Sequence, residues 1–231
     1  MNPSFATTRW SLVRDASSTA QQRKQALSEL YTLYWRPICD YLRRMGITQT
    51  EVEDLAQDFF LQFFDSGALD RANEGYGRFR AYLLGALRHH VQKLRRKAGT
   101  QKRGGGLVAV SLDIAERENP SIEADYARLF DLEWAQTVVA HSMTRLEQEI
   151  RTQTMDRTLA KALIEGNAEG SQQEIAQQLG ISVTALKTRI FRLRRRFREI
   201  LREEVARTVS DESELDGELT YLTQLVGGPT A

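Results

Sequence analysis

SQQEIAQQLGISVTALKTRIFRLRRRF, residues 171–197, is the stretch that decides the fold of its part of the chain. Apolar residues at helical spacing end at Leu179, and Gly180 follows where a helix end needs a residue that tolerates positive φ. Ser182 then supplies a hydroxyl that can cap a new helix. The stretch therefore predicts a helix, a tight turn and a second, cation-rich helix that fits the major groove of DNA.

The second helix of this stretch has two different faces. An apolar seam recurs at helical spacing and is expected to pack inward, so the residues between the seam positions point outward. Outward cations and hydroxyls on such a helix are typical of DNA contacts, and a plain helical hairpin with a solvated basic face is the alternative. The candidate DNA-binding residues are Ser182, Thr184, Lys187, Thr188, Phe191, Arg192 and Arg195.

Charge is segregated along the chain, although the formal net charge is only +1. Residues 78–103 contain nine Lys or Arg and no acid, and residues 187–202 contain eight against one Glu. Residues 203–231 reverse the balance, with seven acids and one Arg. Two separate basic segments predict two places where the chain touches a polyanion.

Composition excludes several classes of protein. The hydrophobic fraction of 41% and the charged fraction of 27% are those of an ordinary globular protein, and no apolar run is long enough to span a membrane. The start MNPSFATTRWSLV lacks the pattern of a secretory signal. Cys39 is the one cysteine, so neither a disulfide within the chain nor a cysteine metal cluster can form. We therefore expect a cytoplasmic protein.

Helical periodicity predicts an all-α chain. A first helix is expected over residues 20–45, kinked or split by Pro37. A second should begin at the capping signal of Thr50 with Glu53 three residues on. A third is expected over residues 78–97. The apolar faces of these three helices are complete enough to bury a common core.

The chain is predicted to form two helical modules joined by a flexible linker. GTQKRGGG has the composition of a linker. It is not a phosphate-binding loop, because no strand precedes it and no helix N-terminus follows it. The expected domains are a helical domain at residues 1–98, the flexible linker at 99–121, a helix-turn-helix domain at 122–209 and an acidic C-terminal tail at 210–231.

The second predicted helix carries an outward stripe opposite its phenylalanine face. A purely solvated acidic face does not need an exposed leucine, so the stripe predicts a docking surface for a basic or helical protein partner. Ordinary surface charge is the alternative. Two acids, an amide and the leucine stand at i, i+3, i+4 and i+7, and these residues are Asp54, Gln57, Asp58 and Leu61.

Three motifs follow one another along the chain: EVEDLAQDFFLQFF, then GRFRAYLLGALRHHVQKLRRK, then, after the linker, EIAQQLGISVTALKTRIFRLRRR. This ordered set resembles bacterial sigma-70-type factors of the extracytoplasmic-function group. The start TTRWSLV and the tail EEVARTVSDESELDGELTYL are similar to the longer-tailed members of that group. The resemblance implies a transcription initiation factor, with no enzymatic activity and no cofactor, that directs core RNA polymerase to specific promoters.

The resemblance also implies partners and roles. The stripe corresponds to the docking surface for the β′ clamp helices of the polymerase, and the β flap is a second polymerase contact. Lys187, Thr188, Phe191 and Arg192 correspond to the side chains that meet the −35 element. The helix at 78–97 corresponds to the element that melts and reads the −10 region. The candidate −10 residues are Tyr76, Arg78, Arg80, Arg88, His89, Gln92, Lys93 and Arg96.

The residues alone leave two other functions to weigh. A helix-turn-helix regulator that acts without polymerase docking explains residues 171–197, but neither the stripe nor the other basic helix. An enzyme would use His89, His90 and nearby acids. The sequence has no carboxylate–histidine pair at ligand spacing, so we expect neither catalysis nor a bound metal. The glycine-rich linker and the acidic tail can each bind a regulator such as an anti-sigma factor, fold back on the basic helix as a self-inhibitor, or have no role.

Overall fold

A computed structural model of the chain describes residues 19–66, 78–101, 120–150, 172–209 and 212–227. These residues form seven α-helices and no strand, so the predicted all-α class is confirmed for the described part of the chain. None of these helices combines the length and the apolarity that crossing a membrane requires. The helices are α1 Ala20–Arg44, α2 Gln49–Asp65, α3 Phe79–Gln101, α4 Pro120–Ile150, α5 Gln172–Gln178, α6 Val183–Ala206 and α7 Glu212–Gly227.

The first helix, α1, is continuous. Thr19 caps it, because its Oγ1 accepts the N–H of Gln22 at 3.2 Å while the Gln22 side chain accepts the N–H of Thr19 at 2.8 Å. Of the two effects predicted for Pro37, a kink or a split, the structure excludes the split, since the helix runs through this residue to Arg44. Pro37 is buried together with its neighbour Ile38, and this packing offsets the backbone hydrogen bond that proline cannot donate.

The second helix, α2, begins earlier than predicted. Its N-cap is Thr48, whose hydroxyl donates to the Glu51 carboxylate at 2.6 Å. The predicted cap at Thr50 with Glu53 is therefore wrong by two residues, because the preceding turn already supplies a threonine and a matching acid. The predicted core face is confirmed, and its buried members are Val52, Ala56, Phe59, Phe60 and Phe63.

Aromatic rings join α1, α2 and α3 into one core. The ring of Phe79 lies 5.6 Å from that of Tyr34 on α1 and 6.4 Å from that of Phe63 on α2, both edge-on. Such edge-to-face pairs stabilise a core beyond the area they bury. The three helices therefore form the common core that their apolar faces predict.

Contacts divide the chain into two compact units, of which the first comprises residues 1–137 and 206–231 and the second residues 138–205. These limits differ from the predicted domains. The helix α3 extends to Gln101, into the predicted linker, and the segment predicted as an acidic tail forms α7 in the first unit. The cause is packing, since α4 places the rings of Tyr126 and Phe130 against Tyr41 of α1, and α7 places Glu218 and the Tyr221 ring against Arg80 of α3.

The described residues of the second unit form two small cores, both built on α6. The C-terminal half of α4 packs on the C-terminal half of α6 through Met143, Leu146, Ile150 and Ile200. The short α5 packs on the N-terminal half of α6. The side chains of that second core are Ile175, Ala176, Leu186 and Ile190.

Candidate docking and DNA-binding surfaces

The predicted docking stripe lies on α2, on the side away from the buried phenylalanines. Asp54, Gln57 and Leu61 are all exposed, and Leu61 keeps 56% of its surface in solvent. Isolated exposed leucines are ordinary, but this one stands in a row with an acid and an amide. Three of the four predicted residues thus form an exposed row of mixed polarity.

Asp58, the fourth residue, lies at the edge of the stripe. Its carboxylate accepts two hydrogen bonds from Nε2 of Gln62, at 3.0 and 2.9 Å, and its Oδ2 lies 3.3 Å from Nε2 of His90. The His90 ring is nearly buried and meets the Phe59 ring edge-on. Burial lowers the pKa of His90, and the nearby carboxylate opposes that shift. Asp58 therefore joins the stripe to α3 as well as facing solvent.

A groove of about 610 Å³ runs between α2 and α3. Phe59, Phe63 and Tyr82 line it with aromatic rings, and the rings of Phe63 and Tyr82 lie 6.0 Å apart. The exposed side chains of His89 and Lys93 stand beside these rings. Rings next to a cation are the combination that receives an unstacked base and its phosphate.

Three further −10 candidates lie along α3. Gln92 and Arg96 are exposed, as predicted. Arg88 is half-buried, and its Nε donates a hydrogen bond to the hydroxyl of Tyr41 on α1 at 3.0 Å. Arg88 stays a −10 candidate, although this hydrogen bond holds its side chain against α1.

Arg80 is buried inside the first unit, although the sequence predicts that it contacts DNA. Only 3% of it is exposed, its Nε donates to Asp131 Oδ1 at 2.8 Å, and its Nη1 pairs with Glu218. Its guanidinium also lies over the ring of Trp134, 4.5 Å from the centroid. A side chain covered on all sides cannot reach a DNA strand in this arrangement, so the prediction for Arg80 is corrected to a structural role.

Arg78 stands at the N-terminal end of α3 and is half-exposed. Its Nε lies 2.9 Å from Oε2 of Glu218, and its guanidinium lies 5.0 Å from the centre of the Tyr221 ring. The Tyr221 hydroxyl donates to Asp131 Oδ2 at 2.7 Å, and burial, aided by this hydrogen bond, raises the pKa of Tyr221. The helix α7 thus supplies both the anion and the ring that hold Arg78.

Some of the predicted features lie outside the described residues. They include Tyr76, the start TTRWSLV and residues 102–119 of the predicted linker.

The turn between α5 and α6 has the geometry that the sequence predicts. Gly180 adopts a φ of 63°, in the left-handed region that favours glycine. The N–H of Ile181 then bonds to the carbonyl of Ala176 at 3.0 Å, which closes the end of α5. Ser182 Oγ accepts the N–H of Ala185 at 3.1 Å. Ser182 is therefore the cap of α6 as well as a candidate contact.

The N-terminal half of α6 presents an exposed polar face. Phe191 keeps 65% of its surface in solvent, and Lys187 and Arg192 are exposed beside it. Neither Lys187 nor Arg192 forms an ion pair with any residue that the structure describes. Thr184 and Thr188 are also exposed, and the Thr188 hydroxyl donates to the carbonyl of Thr184 at 3.0 Å. This face brings together uncompensated cations and an apolar ring.

Two cations in the C-terminal half of α6 are paired with acids. Nε of Arg195 lies 3.1 Å from Glu199, and Arg196 bonds to Glu149 on α4 through two nitrogens, at 2.7 and 2.8 Å. The hydrogen bonds from Arg196, and secondarily from Arg195, lower the pKa of Glu199. Arg195 therefore keeps less of its positive field than the cations at the N-terminal half.

A buried carboxylate fixes α6 against α4. Glu204 is buried, and it accepts a hydrogen bond from Nη1 of Arg145 at 2.5 Å and lies 3.3 Å from Nδ1 of His141. A buried acid needs such partners, since an unpaired charge in the interior is costly. The contact sets the rotation of α6 and hence which residues face outward.

Sequence reasoning missed two features. Arg189 is an exposed cation on α6, next to the predicted contact Thr188. The sequence did not single it out because its other neighbour, Ile190, belongs to the inward-facing seam. Glu218 and Tyr221 hold Arg78 and Arg80. The signal in the sequence is that Glu218 and Tyr221 share one helical face with the apolar Leu222. An acidic segment with an apolar stripe at helical spacing indicates a docked helix.

The described part of the chain contains no group of three or more His, Cys, Asp or Glu side chains that could hold a metal ion. Residues 30–101 of the 231 match the family model of Sigma-70 region 2. This segment contains α2, the groove and the whole of α3. The match supports a sigma-70-family factor with a role in promoter recognition by RNA polymerase. No curated protein and no solved structure matches the chain.

Proposed function

We propose that the chain is a longer-tailed sigma factor of the extracytoplasmic-function group, which binds core RNA polymerase in the cytoplasm and directs it to promoters with specific −35 and −10 elements. The observation that carries the proposal is the match of residues 30–101 to Sigma-70 region 2. The exposed row on α2 and the basic, ring-lined groove beside α3 both lie within that segment. One small module thus offers a protein-docking surface and a surface for a single strand.

The second unit supplies the double-stranded contact in this proposal. The outward face of α6 carries Lys187, Arg192 and Phe191, which suit guanine acceptors and a thymine methyl group in a major groove. In this proposal, Arg195 and the hydroxyl of Ser182 contact the phosphates of the DNA backbone. The β flap of the polymerase is the expected protein partner of this unit. An anti-sigma factor is a further partner that the group implies.

The docking surface is tested by reversing a charge and removing the exposed leucine. The double variant Asp54→Arg with Leu61→Ala is expected to lose co-purification with core RNA polymerase. Both side chains point into solvent, so folding should change little. Asp58 is left intact because of its contact with His90. Asp125→Arg, which reverses an exposed acid on α4, is the matched control and should bind like the parent chain.

The outcomes separate the proposal from its rival. A parent chain that binds double-stranded DNA but never core polymerase would indicate a helix-turn-helix regulator instead. A double variant that still co-purifies with polymerase would remove the docking assignment. Sequencing the DNA that the parent chain retains together with core polymerase then identifies the two promoter elements.

A further inference from the structure

The C-terminal helix α7 is docked on the first unit by an apolar face. Leu215 and Leu222 are buried, and Val209 is buried just before the helix. Glu218 stands between the two leucines on the same face and is only 1% exposed. An acid in that position is stable only with a positive partner. The segment therefore binds at a defined place.

That place is the N-terminal end of α3. Glu218 contacts both Arg78 and Arg80, while Asp131 of α4 contacts Arg80. Two guanidinium groups thus face two carboxylates, and the cluster has no net charge. Uncompensated cations are what attract a nucleic-acid backbone. While α7 is docked, the N-terminal end of α3 therefore presents no net positive charge to a DNA strand.

We propose that α7 is an intramolecular competitor of single-stranded DNA, in which the Glu218 carboxylate and the Tyr221 ring occupy the Arg78 guanidinium that a strand phosphate and base would otherwise take. This inference rests on the proposed function and names a regulation of the same site. The segment that occupies this DNA-binding position is α7, Glu212–Gly227 of the same chain.

The two arginines have different parts in this competition. Arg80 keeps Asp131 and the ring of Trp134 when Glu218 leaves, so the interior of the unit retains a paired cation. Arg78 is half-exposed, and a phosphate can replace the carboxylate on it without burying a new charge. The exchange therefore costs less than breaking an isolated buried ion pair.

The test uses the full chain and a fluorescein-labelled single-stranded DNA of random sequence, titrated over a range of salt concentrations. Glu218→Gln keeps the shape of the side chain and removes its charge. It should raise the affinity and steepen the slope of log affinity against log salt by about 0.7, the value of one extra phosphate contact on a single strand. Glu214→Gln removes an exposed charge from the same helix and should leave the slope unchanged.

A double-mutant cycle identifies Arg78 as the group that is uncovered. Arg78→Ala should change DNA affinity little in the parent chain, because Glu218 already occupies that guanidinium. In the Glu218→Gln background the same substitution should bring the affinity back to the parent value. An equal effect of Arg78→Ala in both backgrounds, or equal salt slopes for Glu218→Gln and Glu214→Gln, would overturn the proposal.

Hydrogen exchange on the unaltered chain avoids any effect of the substitutions on folding. The amides of Glu212–Gly227 should exchange faster when the single-stranded DNA is added at saturating concentration, and protection that is unchanged or increased would contradict competition. Binding to core polymerase is measured in parallel. A parent chain that does not bind core polymerase counts against the proposed function. Normal polymerase binding, with no effect of Glu218→Gln on DNA affinity, counts only against the proposal that α7 competes with DNA.

Discussion

Nε2 of His90 on α3 lies 3.3 Å from Oδ2 of Asp58 on α2, so the docking stripe and the predicted −10 helix share a polar contact. The contact occurs at the edge of the core, with the Phe59 ring against the imidazole. A change in the charge of His90 therefore acts on both surfaces at once. Lys93 and His89 also act on this imidazole, and both lower its pKa.

The pKa of His90 predicts a loss of stability in mild acid. Burial lowers its pKa in the folded state below the ordinary value of 6.5, so the unfolded chain binds the proton more readily. The contribution of His90 to the free energy of unfolding is present above about pH 6.5 and is lost as the pH falls through the folded pKa. Denaturant unfolding between about pH 7.5 and 5.5, above the ordinary range of carboxyl groups, measures this contribution.

The His90→Gln variant is the control for this dependence. Glutamine keeps a polar group near Asp58 and does not titrate, so the variant should show a smaller drop over the same pH range. The two tryptophans that the structure describes, Trp35 and Trp134, both belong to the first unit, so their fluorescence reports its unfolding. An equal pH dependence in the parent and the variant would show that other groups cause it.

Arg80 is expected to stabilise the first unit. The Arg80→Met variant keeps much of the volume of the side chain but leaves the buried carboxylate of Glu218 with fewer partners. Breaking a buried pair in this way typically costs about 3–5 kcal/mol. Arg36→Met removes a surface arginine that lies 3.8 Å from Asp40, and it should cost less than about 1 kcal/mol. Equal losses of unfolding free energy would contradict the structural role.

The sequence predicts α1, α2, α3 and the outward face of α6 well because each rests on local periodicity, whereas it does not predict α7. The seam of α6 and the glycine turn before it depend on residues within a few positions of one another, and both occur where expected. The position of Arg80 depends on Glu218, 138 residues further along the chain. No local pattern marks that pairing, so the sequence alone predicts an outward arginine where the structure has a buried one.

The side chains of α6 are expected to divide between reading bases and holding the backbone. Arg192→Ala and Lys187→Ala should each weaken −35 binding by about 1–3 kcal/mol, chiefly at particular base pairs. Arg195→Ala should weaken binding by a smaller and uniform amount, because Glu199 already shares its charge. Affinities for single-base variants of the −35 element give the comparison, and a uniform loss from all three variants would indicate a phosphate clamp.

Lys93 is the cation best placed to assist strand opening, because it stands at the groove between α2 and α3 next to His89 and the ring of Tyr82. Arg88 is a poorer test, since its substitution also removes the hydrogen bond to Tyr41. Lys93→Ala should leave polymerase binding and −35 affinity unchanged but reduce promoter opening. The salt slope for a single-stranded −10 segment should fall by about 0.7, as for one lost phosphate contact.

Permanganate reactivity of unpaired thymines in the −10 region measures that opening, and a template melted in advance should restore transcription by the variant. Lys24→Ala on α1 removes an exposed cation far from the groove in sequence and serves as the control. A groove that receives an unstacked base needs both its rings and a cation beside them, so loss of the cation alone should slow opening without abolishing it. Normal opening by Lys93→Ala would mean that the groove is not the place where the strand is held.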